Sequence, residues 1–191
     1  MKVKFLASKN KETERLINLY ENYQWFIDNT FPIVFPAFFE SSYKNFGSKK
    51  YAKKLFKKVL QKKIKIIYSQ KKYEKIINSV EKKWLKIEND FFDTLGKLGF
   101  RSKEVFRCYI SLYGPEGQFR YPNLITLRVA NKKDLIETNI NIAHEIIHLL
   151  LYKKFEKLNL KYEQKEGIVD LFFIETEIKN IFPLYKKQTM A

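Results

Sequence analysis

The sequence predicts an α+β fold that is mostly helical, with a small β-sheet placed before a buried helix in the last third of the chain. Three observations predict this class. Much of the first half repeats apolar side chains at helical spacing. Two short segments near residues 105 and 125 are rich in β-branched and aromatic residues, which is typical of strands. A long apolar run without glycine or proline follows them, as expected of a buried helix.

The N-terminal half is predicted to be helical. Residues Lys11 to Asp28 should form one helix, and Lys49 to Leu98 one long helix or a hairpin of two. Between them, Thr30 to Phe39 is apolar but contains two prolines, and it is too short and too interrupted to span a bilayer. We interpret it as a buried connector, with a hydrophobic lid over a cleft as the alternative. The prediction is a helical region over 1–100, packed on a second part over 101–191 in one compact unit.

Two strands are predicted ahead of the C-terminal helices. They cover Val105 to Tyr113 and Leu124 to Val129. The segment from Gly114 to Asn123 is predicted to be a loop, because breaker residues stand at both of its ends.

Two helices are predicted after the strands. Asp134 can cap the start of the first, and Glu137, three residues later, would complete a capping box. Its apolar residues continue to Leu151 without a break. The second helix is predicted over Tyr162 to Glu175, where apolar residues are interspersed with carboxylates.

Both histidines of the chain lie on the first of these helices, in the sequence His144-Glu145-Ile146-Ile147-His148. Uniform placement would give this pattern in roughly one chain in a thousand. Residues four apart share a helix face, so both imidazoles can bind one metal ion. The alternative is a core helix with two histidines satisfied by internal hydrogen bonds. Burying them with a glutamate but no metal is costly unless partners are supplied, and the sequence offers no obvious ones.

The remaining protein ligand must come from another residue type, because the chain has no third histidine. A carboxylate is favoured, with Cys108 as a weaker alternative. Glu166 is the best candidate, since its distance along the chain allows the first helix to end and the second to return antiparallel. Glu163 is the fallback ligand. Asp170, one turn beyond Glu166, could accept the spare ring N–H of a histidine ligand.

The pattern His144-Glu-Ile-Ile-His148 followed by Glu166-Gly-Ile-Val-Asp170 resembles that of the gluzincins, metallopeptidases in which HExxH and a glutamate on the next helix bind zinc. The resemblance extends from about Tyr109 to Phe182. The short C-terminal part is most similar to the small soluble members called minigluzincins. The resemblance implies a zincin-like fold and a zinc-dependent metallopeptidase.

The resemblance also implies a role for each site residue. His144, His148 and Glu166 would bind Zn²⁺, and Glu145 would be the general base and acid. Relatives often stabilise the oxyanion with a tyrosine or histidine from beyond the glutamate helix, and Tyr185 is the candidate here. The strand before the HExxH helix would bind an extended peptide substrate as an added strand, or else form a sheet edge protected by an arginine. That strand contains Leu124, Ile125, Thr126, Leu127 and Arg128.

The formal charge of +16 at pH 7 raises the question of an anionic partner. Nearly all the positive charge is lysine, whereas arginine is the preferred phosphate fork. Lysine pairs between Lys49 and Lys72 could still attract nucleic acid or an acidic protein.

Two hypotheses about function follow from the sequence: a zinc metallopeptidase acting on a peptide or protein, or a non-catalytic or latent binding module with a lysine-rich surface. In a latent enzyme, the N-terminal helices or the tail from Phe182 to Ala191 would cover the cleft. The presence of Glu145 favours the peptidase, because a structural zinc site needs no general base.

A cytoplasmic location is the expectation. The first residues have no apolar region long enough for a signal peptide, and a lone cysteine excludes an intrachain disulfide. No transmembrane segment is predicted.

Overall fold

The computed structural model describes residues 1–28, 32–46, 50–101 and 103–187. Within these ranges the chain forms four strands and nine helices, and the mostly helical α+β class is confirmed. The strands are β1 (Lys2–Leu6), β2 (Val105–Ser111), β3 (Gly117–Arg120) and β4 (Leu124–Arg128). The helices are α1 (Lys9–Glu21), α2 (Tyr23–Asp28), α3 (Phe39–Phe46), α4 (Lys50–Ile67), α5 (Gln70–Trp84), α6 (Glu88–Lys97), α7 (Lys132–Lys157), α8 (Tyr162–Glu175) and α9 (Ile178–Ile181).

The four strands form one mixed sheet in the order β1-β2-β4-β3. β1, β2 and β4 are parallel, and β3 is antiparallel to β4. The predictions of β2 and β4 are confirmed. β1 was not predicted, and β3 lies inside the segment predicted to be a loop. β4 is hydrogen-bonded on both sides, so the expectation that Leu124, Ile125, Thr126, Leu127 and Arg128 offer an open edge is wrong. The outer strand on that side is β3, which has one neighbour among the described strands.

The N-terminal helices are more divided than predicted. Instead of one helix over 11–28, α1 and α2 are separated at Asn22. The segment predicted as one or two helices over 49–98 contains α4, α5 and α6. Ser69 explains the first interruption, because its hydroxyl caps α5 by accepting a hydrogen bond from the backbone N–H of Lys72.

The long helix α7 begins earlier than predicted. Asn131 is its N-cap and accepts from the backbone N–H of Asp134 at 3.0 Å, so the predicted capping box that starts at Asp134 is wrong. The Asp134 carboxylate instead accepts from the backbone N–H of Ala130 and from the guanidinium of Arg128. The second helix, α8, has the predicted bounds.

Two hydrophobic clusters divide the molecule differently from the predicted boundary at residue 100. The larger cluster joins the sheet to α5, α6, α7, α8 and α9, and the smaller joins α1, α2, α3 and α4. β1, α5 and α6 therefore pack with the C-terminal part, because their apolar faces are needed to cover the sheet.

The connector after α2 is described from Pro32 onward, and the first residues of the predicted stretch lie outside the described residues. Ile33, Val34 and Phe35 are half-buried, Pro36 is buried, and Pro32 and Ala37 are exposed. Val34 pairs with Gly114 as an isolated antiparallel bridge. The connector is thus tied to the chain between β2 and β3. Among the described helices, none is both long and apolar enough to cross a membrane.

Candidate metal centre

The two histidines and Glu145 lie in the middle of α7, within the run of residues 141–149 that are all buried. Leu158 ends α7, and Asn159 adopts a positive φ of 49° before the chain returns in α8. This turn brings Glu166 of α8 to the face of α7 that carries both imidazoles. All four side chains are buried.

Three ligand-type atoms converge in this place. The Nε2 atoms of His144 and His148 are 3.0 Å apart. The Glu166 carboxylate oxygens lie 3.1 Å from His144 Nε2 and 3.2 Å from His148 Nε2. Atoms held 2.0–2.1 Å from one ion in tetrahedral geometry are separated by roughly 3.3 Å. The observed spacing therefore fits one face of a zinc coordination tetrahedron.

The opposite ring nitrogens argue against a purely internal hydrogen-bond network. Nδ1 of His144 and Nδ1 of His148 are buried, and neither has a hydrogen-bond partner in the described part of the chain. Each Nε2 instead faces the other Nε2 and the carboxylate of Glu166. Two imidazoles and one carboxylate that leave a coordination position open form a donor set typical of catalytic zinc.

The charge state of Glu166 suits a ligand. Burial alone would raise the pKa of Glu166, but hydrogen bonds from His144 and His148 outweigh it and lower the pKa to about 2. The carboxylate is therefore ionised over the physiological range. Among the described residues, this is the one group of three or more His, Cys, Asp or Glu side chains close enough to share an ion. Cys108 is buried in β2 and Glu163 is exposed, and neither belongs to the group.

Glu145 is buried beside this group without belonging to it. Burial is the main cause that raises the pKa of Glu145 to about 7; Glu166 also raises it, and His148 and Arg15 partly offset the rise. A carboxyl whose pKa lies near neutrality is suited to accept and return a proton. Its carboxylate lies directly under Gly117, the first residue of β3, where an added Cβ atom would overlap Oε1.

Gly117→Ala should therefore displace either Glu145 or the edge strand. We expect zinc to be retained and any hydrolytic turnover to fall by roughly 100-fold, the loss that a displacement of about 1 Å causes in an active site. Gly96→Ala on α6 is the matched control, because an added Cβ there meets nothing within 4 Å. Equal turnover in the two variants would show that the clearance at Gly117 is unimportant.

Strand β3 runs along α7 with alternate side chains toward the helix. Gly117 lies against the Glu145 carboxyl, and the Phe119 ring stacks on the imidazole of His148 with centroids 5.0 Å apart. Farther on, the rings of Tyr121 and Tyr152 stack at 4.7 Å. The strand nearest the metal group is thus β3, while Ile125 and Leu127 of β4 are core residues.

Asp170 and Tyr185 pair with each other. The Tyr185 hydroxyl donates to Asp170 Oδ1, and its ring stacks on Phe173 with centroids 4.0 Å apart. Burial is the main cause that raises the pKa of Tyr185. The predicted hydrogen bond from a ligand histidine to Asp170 is wrong, because neither Nδ1 atom has a partner among the described groups.

Tyr162 is a site residue that the sequence did not indicate. Its hydroxyl hydrogen-bonds to the Glu166 side chain, and it is close enough to Glu145 for the two groups to interact electrostatically. Half of the residue is exposed, so the phenol links the buried group to the surface. The usable signal was its position four residues before Glu166, on the same face of α8.

No protein-family model, curated protein or solved structure matches this chain. A function is therefore inferred from the site itself, from its ligand set, its buried carboxyl and the strand beside it.

Proposed function

We propose that this protein is a zinc-dependent metallopeptidase of gluzincin type, built on a zincin-like fold. One observation carries the proposal. His144, His148 and Glu166 converge within 3.0–3.2 Å, beside a buried carboxyl, that of Glu145, outside the ligand group. A structural zinc site would be closed by a fourth protein ligand and would have no need of Glu145.

A bound zinc ion would supply Lewis acidity, which makes a water molecule acidic near neutral pH and polarises the scissile carbonyl. Glu145 would take the proton that the attacking water loses as its oxygen bonds to the carbonyl carbon. The same carboxyl would then give that proton to the nitrogen as the C–N bond breaks, so the products are a carboxylate and an amine. Because Glu145 is buried under Gly117, its carboxyl has little contact with bulk water.

The proposed docking place for the peptide is β3 rather than β4. The backbone N–H of Arg128 donates to the carbonyl of Glu116 at 2.9 Å, and antiparallel ladders repeat every second residue. The backbone groups of Gly117 and Phe119 should then point away from β4, where an extended peptide can pair with them. A peptide placed there would pass Glu145 and His148 in succession.

Tyr162→Phe tests the part of this site that faces outward. Loss of the hydroxyl removes a hydrogen bond to Glu166, and such partners are commonly worth 10–100-fold in metal affinity or activity. We expect a turnover decrease of about that size with little change in Tm, because the ring is half exposed.

Tyr185→Phe is the matched comparison and should show the opposite profile. It removes the hydrogen bond that the Tyr185 hydroxyl donates to Asp170, and a hydrogen bond to a charged group contributes about 1.5–3 kcal/mol to stability. A larger turnover loss in Tyr185→Phe than in Tyr162→Phe, measured well below both Tm values, would support the prediction that Tyr185 stabilises the oxyanion.

The direct test of the proposal is cleavage of a peptide library followed by mass spectrometry. Wild-type protein loaded with zinc should cut, chelation should stop cleavage, and added zinc should restore it. Zinc-loaded wild type that cuts no peptide would contradict the proposal.

A non-catalytic or latent binding module is the second candidate, and the surface of α4 and α5 favours it. In the described part of the chain, none of the exposed lysines on these helices lies within 4 Å of a carboxylate; they are Lys54, Lys57, Lys58, Lys62, Lys63, Lys65, Lys71, Lys72, Lys75 and Lys82. Nucleic-acid affinity that falls steeply with salt, in protein that cuts no peptide, would favour this candidate.

A further inference from the structure

Arg15, on the N-terminal helix α1, is a buried cation that the ligand pattern does not account for. Only 5% of the residue is exposed, and burial is the main cause that lowers the pKa of its guanidinium to about 10. Nη2 donates to the carbonyl of Pro115, whereas Nε and Nη1 have no acceptor among the described residues. Unpaired buried donors reduce stability, so a role other than stability explains this side chain better.

The Pro115 carbonyl belongs to the turn Gly114-Pro115-Glu116-Gly117, which leads directly into β3. An added Cβ at Gly114 would overlap Arg15 Nε, just as one at Gly117 would overlap Glu145 Oε1. Gly114 also has a φ of 92°, which disfavours other residues there. The two ends of one short turn therefore rest on two buried charged groups, and those groups interact electrostatically.

Other contacts hold the same turn from the opposite side. Gly114 exchanges backbone hydrogen bonds of 2.7 and 3.2 Å with Val34. Arg128 donates to the Gly114 carbonyl at 3.1 Å and pairs with Glu116 at 3.3 Å. These contacts hold the outer side of the turn, and Arg15 contacts the same turn from the interior.

Helix α1 is anchored independently of the turn. The buried carboxylate of Glu12 accepts from the Tyr73 hydroxyl at 2.7 Å and from the backbone N–H of Leu112 at 3.1 Å. These bonds tie α1 to α5 and to the end of β2. Arg15, one turn farther along α1, therefore extends from a fixed base.

We propose that Arg15 is a positioning residue of the metal site: it holds the Gly114–Gly117 turn at the distance from Glu145 that lets β3 pack against this carboxyl. The proposal rests on the proposed peptidase function for its catalytic consequence, but not for its structural one. Through Arg15, α1 then contributes to the site rather than only packing beside it.

The test compares Arg15→Met, Arg15→Lys and Glu14→Gln with wild type. Arg15→Met should lower kcat/KM by about 10–100-fold with zinc content unchanged, because the turn shifts relative to Glu145 and carries β3 with it. Arg15→Lys keeps a donor for Pro115 and should recover part of the loss. Glu14 is the neighbouring residue on α1, is exposed and pairs with Lys11 at 2.6 Å, so Glu14→Gln should keep the wild-type kcat/KM.

A second measurement separates this proposal from the peptidase proposal. Amide hydrogen exchange, followed by mass spectrometry, should be faster over 116–120 in Arg15→Met and unchanged there in Glu14→Gln. This expectation holds even if the protein cuts no peptide. Unchanged exchange over 116–120 in Arg15→Met would overturn the proposal, as would equal losses of kcat/KM in Arg15→Met and Glu14→Gln.

Discussion

Glu145→Gln is expected to keep its zinc and to lose peptide cleavage by roughly 10²–10⁴-fold. The amide has nearly the shape of the carboxyl but cannot take a proton from water, and general base catalysis is typically worth that factor. Metal content should stay at the wild-type value because Glu145 lies outside the ligand group. Elemental analysis and kcat/KM on one peptide substrate measure the two quantities.

Glu156→Gln is the control for that substitution. Glu156 is also on α7 but is exposed and pairs with Lys165 at 3.1 Å. Surface pairs of this kind contribute little, so both zinc content and turnover should match wild type. Cleavage by Glu145→Gln at a rate near that of wild type would remove Glu145 from the mechanism.

Glu166→Ala is expected to abolish the stabilisation that zinc gives the folded protein. A ligand that binds only the folded state at about 1,000 times its Kd adds roughly 4 kcal/mol. For a chain of this size, that corresponds to a Tm increase of roughly 8–16 °C over chelated protein. Wild type should show this zinc-dependent shift, and Glu166→Ala should lose most of it. Thermal unfolding with and without excess zinc measures the shift.

Glu163→Ala is the matched control on the same helix. Glu163 is exposed and lies outside the ligand group, so its variant should keep the full zinc-dependent shift. Loss of the shift in Glu163→Ala, with retention in Glu166→Ala, would make Glu163 the ligand.

The group formed by His144, His148 and Glu166 could be predicted because its formation depends on local rules. Helical spacing puts His144 and His148 on one face, and a helix pair joined by a short turn returns Glu166 to it. The bounds of α8 were predicted from its own run of apolar residues between carboxylates, although Gly167 lies inside the helix. Short-range periodicity carries this much information when no proline interrupts it.

The strand beside the site could not be predicted in this way. β3 has four residues within a segment bounded by breakers, too short for alternation to outweigh the turn signals. β4 has a composition more typical of a strand than β3 has, because β4 lies between β2 and β3 and is buried there. The same position means that β4 is not an edge strand. A strong strand signal therefore indicated the strand next to the edge rather than the edge itself.

The contributions of Arg15 and Tyr162 depend on tertiary structure. Arg15 lies 100 residues before Pro115 in the sequence and reaches it through the tertiary packing of α1, which Glu12 ties to the end of β2. A lone arginine in an amphipathic helix has no local feature that marks it as buried. Tyr162 lies near Glu166 in sequence, but a tyrosine at a helix start is ordinary until its hydroxyl partner is known.

The most direct test of the central claim is the zinc content of the purified protein, measured beside His148→Ala after incubation with zinc and dialysis. Convergence of the three ligand atoms predicts close to one zinc ion per wild-type chain and almost none in the variant. Wild-type protein that retains no zinc would contradict the metal site, and the proposed metallopeptidase function with it.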